Sequence, residues 1–327
     1  MEKQRPPLNA LRQRSGLEGC QEPRRAALSP ARSPSLGRVT LLFLLLSSGT
    51  IQFSCGRNPD VIAIGSKNFT ESIILGEMLA QQLEDHGFDV ERKFNLGGTF
   101  IVHQAMVARQ LDMYVEYTGT AHSAILELPM ESMPDVVRRH ADSLYRERWE
   151  IVWMEPLGFN NTFAMLVRGE TARRLGISTL SEAVPYAGQW QAGFGYEFAD
   201  RPDGLPGLQE RYGLRFMGEA AVMDLALTYR ALAEGRVDMI AANSTSGQIE
   251  ALGLIHLQDD LGFFPPYEAV PVVRSEVLER HPVVGRALRE LGGVLSEETM
   301  RHLNYLVDAE GREISQVVTE FLKGLGA

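Results

Sequence analysis

Aromatic rings and small hydrogen-bonding side chains stand at the expected ends of several strands in this chain. In the segment 112–121 (DMYVEYTGTA), an alternating run ends on Tyr117 and is followed by a Thr-Gly-Thr turn. Lys67 follows the first expected strand, and an Asn-Ser-Thr segment at 243–245 follows a later one. Ligands of open α/β sheets bind beyond the carboxyl ends of the strands, so these residues are candidates for a single binding site.

The chemistry of this set suits a small organic cation. Tyrosine rings such as those of Tyr117 and Tyr267 attract a cation through the quadrupole of their faces. A quaternary ammonium group has no N–H to donate, so a cage of rings is its natural host. Lys67 or Arg201 could bind a carboxylate at the other end of such a ligand, Arg201 through two parallel hydrogen bonds. Each residue also has a purely structural interpretation, in a half-buried strand, a packed loop or a surface turn.

No catalytic or metal-binding motif accompanies these residues. The sequence contains no His-Glu-x-x-His zinc signature, no Walker loop and no Gly-x-Ser-x-Gly nucleophile elbow. Both cysteines, Cys20 and Cys55, lie within the first 55 residues, and the seven histidines show no ligand spacing. The sequence therefore predicts a binding protein without metal or cofactor rather than an enzyme.

Residues 1–55 differ in character from the rest and are predicted to be an export signal. Eight Lys/Arg and three acidic residues come first. The apolar run Val39–Leu46 and then small residues follow them within the same segment. The run is too short to span a bilayer, which needs roughly 20 apolar residues. Cys55 lies where bacterial lipoproteins carry their lipidation cysteine; the alternative is a simply cleaved leader. The mature protein is expected to lack residues 1–54.

The remainder of the chain is strongly acidic. Residues 56–327 contain 24 Lys/Arg and 39 Asp/Glu, which gives a net charge of −15. Such a surface repels nucleic acid and anionic lipid. It is compatible with the binding of a small cation.

Two segments of this acidic part are built alike. From Val61 and again from Gln191, the apolar pattern predicts strand, helix, strand, helix and strand, which is typical of a mainly parallel α/β sheet. In the second segment, Leu214–Met217 is the predicted second strand. An offset of 126 residues aligns the two segments and places Asn243 opposite Tyr117.

The chain crosses twice between these segments, which predicts two lobes joined by a two-strand hinge. The predicted first lobe combines residues 60–160 with 268–327, and the second comprises 161–267. The tail after residue 275 is expected to be helical and to pack on the first lobe. A hinge of this kind allows the lobes to close around a ligand.

Six stretches, taken in order, resemble one family of proteins. They are IGSKNFTESIILGEMLA, LGGTFIVHQAM, LDMYVEYTGTA, GFNNTFAMLV, RPDGLPGLQERYGL and FFPPYEAVPVVR, and the resemblance covers nearly all of residues 60–325. The chain is similar to the substrate-binding proteins of ABC importers for osmoprotectants, namely glycine betaine, choline and carnitine. The resemblance implies a two-lobed periplasmic-binding-protein fold of type II, with a quaternary ammonium ligand in an aromatic cage between the lobes.

The resemblance also implies the cellular setting. Such a protein is the extracytoplasmic solute-binding subunit of an importer, either periplasmic or lipid-anchored at the outer face of the cytoplasmic membrane. Its partners are the solute, an ABC permease and the permease's cytoplasmic ATPase. The alternative from another class is an exported enzyme on a similar two-lobed fold.

Carried over position by position, the resemblance implies a set of ligand-binding residues. The cage aromatics are Tyr117, Phe163 and Tyr267; polar contacts are Thr120 and Asn161; and the cations are Lys67 and Arg201.

One position departs from the family pattern. Where the family often has a further cage tyrosine, this chain has Asn243. An amide in place of a ring suggests weaker binding of glycine betaine, or another trimethylammonium ligand with a larger body, such as ergothioneine.

Overall fold

The structure, a computed structural model, describes residues 60–325. The predicted leader and the lipidation candidate Cys55 lie outside these residues. Within them, the strands form two five-stranded sheets. We call residues 60–160 with 268–325 the first lobe and residues 161–267 the second lobe, because every strand of one sheet falls in the first set and every strand of the other in the second.

The first sheet is mixed. Strands are numbered in chain order, and their spatial order here is β2 (Asp89–Lys93), β1 (Val61–Gly65), β3 (Met113–Tyr117), β10 (Ala269–Arg274) and β4 (Ile151–Trp153). β1 pairs in parallel with β2 and β3, whereas β10 runs antiparallel to β3 and β4. The carboxyl ends of β1 and β3 therefore open on the same edge, where Lys67 and Tyr117 lie.

Helices cover both faces of this sheet. They are α1 (Thr70–Asp85), α2 (Thr99–Val107), α3 (Thr118–Thr120), α4 (Pro134–Trp149), α11 (Ser275–Arg280), α12 (Pro282–Arg289), α13 (Glu297–Asp308) and α14 (Ile314–Leu325), with a π-helical turn at Ala121–Ile125 after α3. The C-terminal helices α12, α13 and α14 pack against α1, as expected of the helical tail.

The second sheet repeats this order with its own strands. They are β7 (Ala221–Met223), β6 (Ala192–Gly195), β8 (Met239–Asn243), β5 (Phe163–Arg168) and β9 (Leu254–Leu257). Its helices are α5 (Gly169–Leu175), α6 (Leu180–Ala187), α7 (Tyr196–Asp200), α8 (Leu205–Tyr212), α9 (Leu225–Ala233) and α10 (Gln248–Ala251).

The internal repeat predicted from the sequence is present in the structure. β8 lies 126 residues after β3 at both of its ends, and α9 lies 126 residues after α2 at both of its ends. Tyr117 and Asn243 are the last residues of equivalent strands in different lobes. The repeat thus brings these two side chains to the cleft from opposite sides.

One predicted strand is wrong. Residues 214–217 form no strand, and the second strand of the segment that begins at Gln191 is β7, at Ala221–Met223. Leu214 is fully buried in the core, so the apolar signal there reports burial rather than strand pairing. Met217 N–H donates to the Trp190 carbonyl at 2.9 Å, and the parallel ladder with β6 begins only at Ala221.

Two chain crossings join the lobes side by side. Asn160 and Glu268 form an antiparallel bridge, and the N–H of Asn161 donates to the Tyr267 carbonyl at 3.0 Å. The N–H of Tyr267 donates in turn to Asn160 Oδ1 at 2.5 Å. Asn161 and Tyr267, two of the residues predicted to bind the ligand, therefore lie in the paired crossings between the lobes.

Candidate functional site

A cavity of about 460 Å³ lies between the two lobes. Each of the eight site residues predicted from the sequence contributes to its lining: Lys67, Tyr117, Thr120, Asn161, Phe163, Arg201, Asn243 and Tyr267. They come from both lobes and from the crossings. The carboxyl ends of β3 and β8 both open into this cavity. Ligands of open α/β sheets bind beyond such strand ends.

Tyr117 presents its ring to the cavity and anchors its hydroxyl in a buried network. The hydroxyl donates to Glu71 Oε1 at 2.6 Å. The same carboxyl accepts from Asn161 Nδ2 at 2.7 Å, Thr245 Oγ1 at 2.5 Å and Asn304 Nδ2 at 3.2 Å. Glu71 therefore connects a ring of the site to a crossing, to the second lobe and to α13.

The charge state of this network follows from its surroundings. Burial raises the pKa of Glu71 above its ordinary value, although its four hydrogen-bond donors act in the opposite direction. Burial, together with the nearby Glu71, raises the pKa of Tyr117 well above its ordinary value. The Tyr117 hydroxyl therefore keeps its proton and acts as the donor.

Lys67 is held by protein groups inside the site. Its ammonium lies 2.5 Å from Glu116 Oε1, donates to Thr99 Oγ1 at 3.0 Å and lies 5.2 Å from the centroid of the Tyr117 ring. Lys67 is 3% exposed and Glu116 is fully buried. Glu116 thus offsets the charge that Lys67 would otherwise bring to a ligand.

Arg201 is also paired with a carboxylate. Its Nε and Nη2 donate to the two oxygens of Asp203 at 2.9 and 2.5 Å, in the fork geometry of a bidentate pair. Nη2 also lies 3.2 Å from Thr120 Oγ1, which belongs to the first lobe. The guanidinium carbon lies 5.3 Å from the centroid of the Phe163 ring. Asp203 places this cation against the aromatic wall.

Phe163 and Tyr267 form an edge-to-face pair next to this cation. Their ring centroids are 5.6 Å apart with an interplanar angle of 78°. The hydroxyl of Tyr267 donates to Asp203 Oδ2 at 2.6 Å. Asp203 therefore fixes both Arg201 and Tyr267, and the ring of Tyr267 is held at the cavity wall by its own hydroxyl.

Asn243 brings a side-chain amide to the cavity. It lies opposite Phe163 in the register of β8 and β5, so their side chains share one face of the sheet. Within residues 60–325 its side-chain amide makes no hydrogen bond to another protein group. The amide can both donate and accept at the cavity.

Sequence reasoning missed the acidic residues that organise the site. Glu71 and Glu116 are buried at 2% and 0% exposure, and Asp203 is fully buried. Glu116 left a signal, since it is a charge inside an otherwise apolar strand. Asp203 stands two residues from Arg201, a spacing that could have suggested a pair. Glu71 left no comparable signal, because its partners are distant in sequence.

The cavity also contains more rings than the sequence indicated. Phe69 lines it with its ring centroid 6.2 Å from that of Tyr117, and Phe198 lines it 4.9 Å from Phe163. Phe100 and Tyr196, both largely exposed, stand at its edge. The arrangement can desolvate an organic cation against ring faces and can bind its polar end with neutral groups.

Neither a metal cluster nor a membrane span accompanies this site. Across residues 60–325, no group of three or more His, Cys, Asp or Glu side chains is placed to bind a metal ion. In the same residues, no helix has the length and apolarity needed to cross a bilayer.

A family model matches almost all of the described chain. The family is the substrate binding domain of ABC-type glycine betaine transport systems, and the match covers residues 60–324, which include both sheets and both crossings. The chain belongs to this family. Its two-lobed architecture is that of the type II periplasmic binding proteins, and the cleft between the lobes is where the eight predicted residues meet.

Curated relatives of this glycine betaine transport family differ in the ligands they are named for. The glycine-betaine-binding protein of Pseudomonas aeruginosa is 35% identical over 274 residues, which are 81% of this chain and 88% of that protein. The ergothioneine transport permease/ergothioneine binding protein of Helicobacter pylori is 32% identical over 289 residues, or 87% of this chain. This chain spans only about half, 51%, of the Helicobacter protein.

A solved structure of the same family shares the fold over its whole length. The crystal structure of a glycine betaine/carnitine/choline ABC transporter protein superimposes with a TM-score of 0.68 at 30% sequence identity. The match covers 80% of this chain and 98% of that structure.

Proposed function

We propose that this chain is the extracytoplasmic solute-binding subunit of an ABC importer and that its ligand is a small quaternary ammonium compound. The observation that carries this proposal is the set of rings Tyr117, Phe163 and Tyr267 around one interlobe cavity. Two of the rings are fixed through their hydroxyls, which keeps their faces available to a cation. The family supports a transport role rather than catalysis.

The ligand is held by rings and neutral groups rather than by a free counter-ion. Lys67 and Arg201 each have a buried carboxylate partner, so a ligand carboxylate meets a nearly neutral surface. Arg201 Nη1 makes a long contact, with Glu197 Oε2 at 3.5 Å, and is the guanidinium nitrogen that we assign to a ligand acceptor. A carboxylate on the ligand would bind here, with Thr120 and Asn161 as polar neighbours.

Asn243 favours a second candidate within the same class. Its unpaired amide would contribute a hydrogen bond to a trimethylammonium ligand that carries further polar atoms, such as ergothioneine. A cavity of about 460 Å³ has room for such a body. Glycine betaine, choline and carnitine carry fewer polar atoms.

The partners follow from the role. The protein would deliver its solute to a permease driven by a cytoplasmic ATPase. We infer export by way of residues 1–54, with Cys55 as the candidate for a lipid anchor. Mass spectrometry of the protein from its native host tests both points: retention of residues 1–54 contradicts export, and a diacylglyceryl mass on Cys55 supports the anchor.

Calorimetry with a matched pair of probes tests the ligand class. Choline and its uncharged carbon isostere 3,3-dimethylbutan-1-ol have nearly the same shape and differ in the charge. We expect choline to bind more tightly, by about 0.5 to 2 kcal/mol for each desolvated ring that it contacts. Glycine betaine, carnitine and ergothioneine complete the panel. Equal binding of choline and the isostere, or no binding of any panel member, contradicts the proposal.

A further inference from the structure

Two equivalent helices begin at the cleft, but only one of them caps its own N terminus. α2 starts after Gly98 in the first lobe, and α9 starts after Asp224 in the second lobe, 126 residues later. Asp224 Oδ1 accepts from the N–H of Ala226 at 2.9 Å, which is an ordinary N-cap. Gly98 has no side chain with which to do the same.

The missing cap of α2 comes from the other lobe. Glu197, in α7, accepts through Oε1 from the N–H of Thr99 and through Oε2 from the Thr99 hydroxyl at 2.9 Å. A Cβ atom built on Gly98 would lie 2.2 Å from Glu197 Oε1. Glycine at position 98 therefore leaves the space that the carboxylate of the opposite lobe occupies.

We propose that Glu197 is an interlobe cap that holds the cleft closed and thereby sets how tightly and how long the cavity retains any ligand. A carboxylate at a helix N terminus satisfies an otherwise unpaired N–H and interacts favourably with the helix dipole. When the lobes part, α2 loses this acceptor. Closure is thus coupled to the stability of the first turn of α2.

A second contact joins the two lobes close to Glu197. Arg201, four residues after Glu197, reaches Thr120 of the first lobe through Nη2 at 3.2 Å. Glu197 Oε2 and Arg201 Nη1 are 3.5 Å apart. Glu197 lies in the first turn of α7, and Arg201 directly follows its last residue, Asp200. This short element and the residue after it therefore reach the first lobe with two side chains.

Hydrogen exchange of the ligand-free protein tests the cap without any assumption about the ligand. In Glu197→Ala, we expect the Thr99 amide to exchange about 2- to 30-fold faster than in the parent, the range for loss of one N-cap. Thr179→Ala is the matched control, because Thr179 caps α6 within the second lobe. It should speed exchange at the start of α6 and leave Thr99 unchanged. Equal exchange of Thr99 in Glu197→Ala and the parent overturns the proposal.

A cap supplied within the first lobe separates capping from closure. In Gly98→Asp/Glu197→Ala, the new aspartate can cap α2 as Asp224 caps α9, but it connects nothing across the cleft. We expect the thermal midpoint to recover towards that of the parent while ligand dissociation stays fast. Recovery of slow dissociation as well would show that Glu197 acts only on helix stability, and would overturn the closing role.

Stopped-flow release of glycine betaine and choline supplies the dissociation rates, and this part rests on the proposed function. We expect release from Glu197→Ala to be about 2- to 30-fold faster than from the parent. Glu197→Gln keeps an acceptor oxygen and should fall between the two; it carries both tests if the alanine variant folds poorly. If neither probe binds, the proposed function fails while the exchange result on Thr99 still decides the cap.

Discussion

At the scale of single residues, the site is organised by buried acids that hold its rings and cations. Glu71 fixes Tyr117, Glu116 holds Lys67, and Asp203 fixes both Arg201 and Tyr267. The ligand would meet ring faces and amides, while the charges of the site are paired behind them. Substitution of Glu71 or Asp203 should therefore lower the affinity for the ligand, because the ring that the acid holds loses its fixed position.

Glu71→Gln should weaken both the fold and ligand binding. Each oxygen of Glu71 faces one asparagine amide, Asn161 on Oε1 and Asn304 on Oε2. In either orientation the new NH₂ group points at one of these donors and removes the acceptor that Glu71 gave it, which costs about 1–3 kcal/mol. The cost is smaller on the Asn304 side, because Asn304 Nδ2 also donates to the Thr245 carbonyl at 2.9 Å. Chemical denaturation and calorimetry measure the two losses.

The matched control is Tyr117→Phe, which removes one of the four donors and keeps the ring. It should cost less in ligand affinity than Glu71→Gln, because the Glu71 network keeps three donors. An equal or larger loss of ligand affinity in Tyr117→Phe would show that the Tyr117 hydroxyl, and not the Glu71 carboxylate, determines ligand binding.

Asn243→Tyr should tighten the binding of glycine betaine. Asn243 lines the cavity beside Phe163, so a ring there can contact the ammonium group and contribute about 0.5–2 kcal/mol. A ligand that hydrogen-bonds the amide should bind more weakly to the same variant. Asn243→Leu controls for a gain from apolar surface alone. If the panel binds the tyrosine variant and the parent alike, Asn243 does not contact the ligand.

At the scale of elements, α2 combines an end in the cleft with a buried histidine in its middle. His103 is 3% exposed and lies among the rings of Tyr145 and Trp149, with centroid distances of 5.4 and 4.4 Å. Burial, and to a lesser extent the charge of Lys67, lowers its pKa to about 4. The helix that receives Glu197 is thus built around a neutral imidazole.

This histidine should make the fold sensitive to moderate acid. The folded pKa of about 4 lies below the ordinary value of 6.5, so the unfolded chain binds the proton first as the pH falls. The stabilising effect of a neutral His103 is complete above pH 6.5 and is lost between pH 6.5 and 4, by up to about 3 kcal/mol. Urea unfolding at several pH values measures it.

His103→Gln isolates the effect, because the carboxylates that titrate in the same range remain. We expect its free energy of unfolding to vary less with pH between 6.5 and 4 than that of the parent. Parallel pH profiles for the two proteins would mean that His103 takes up its proton in the folded state.

The elements also show which features the sequence could reveal. The 126-residue offset located β3 and β8 and placed Tyr117 and Asn243 at the same cleft, because strand ends follow local patterns. The partners of the charged residues were missed where they come from distant segments, as with Glu71 and Tyr117, 46 residues apart. The strand expected at 214–217 failed because apolar periodicity reports burial and not pairing.

At the scale of the whole molecule, the lobes approach closely on the side of α13 as well as at Glu197. Gly247 of the second lobe lies against the backbone of Tyr305, and a Cβ atom there would be 2.5 Å from the Tyr305 Cα. Its φ of −64° suits any residue, so an alanine would meet a steric obstacle without backbone strain. The two lobes can adopt this arrangement only with a residue as small as glycine there.

Gly247→Ala should therefore shift the lobes apart. We expect a larger radius of gyration in small-angle X-ray scattering and weaker ligand binding than in the parent. Gly188→Ala is the control, since its φ is also −64° and its nearest neighbour, the Arg215 carbonyl, would be 3.9 Å from the new Cβ. Identical scattering from the two variants would contradict the steric role of Gly247.

The buried pairs Lys67–Glu116 and Arg201–Asp203 have a consequence for work in concentrated electrolyte. Salt screens charges at the surface far more than charges buried in contact, and the Debye length is only about 3 Å at 1 M. The net charge of −15 on residues 56–327 should speed the approach of a cation in dilute buffer and lose this effect in brine. The dissociation rate of a ligand bound in the aromatic cage should hardly change. In a sodium chloride series, the stopped-flow association rate of choline, which carries a net positive charge, should fall while its dissociation rate stays level. A receptor of this design would thus keep its ligand under the osmotic conditions in which such solutes are needed.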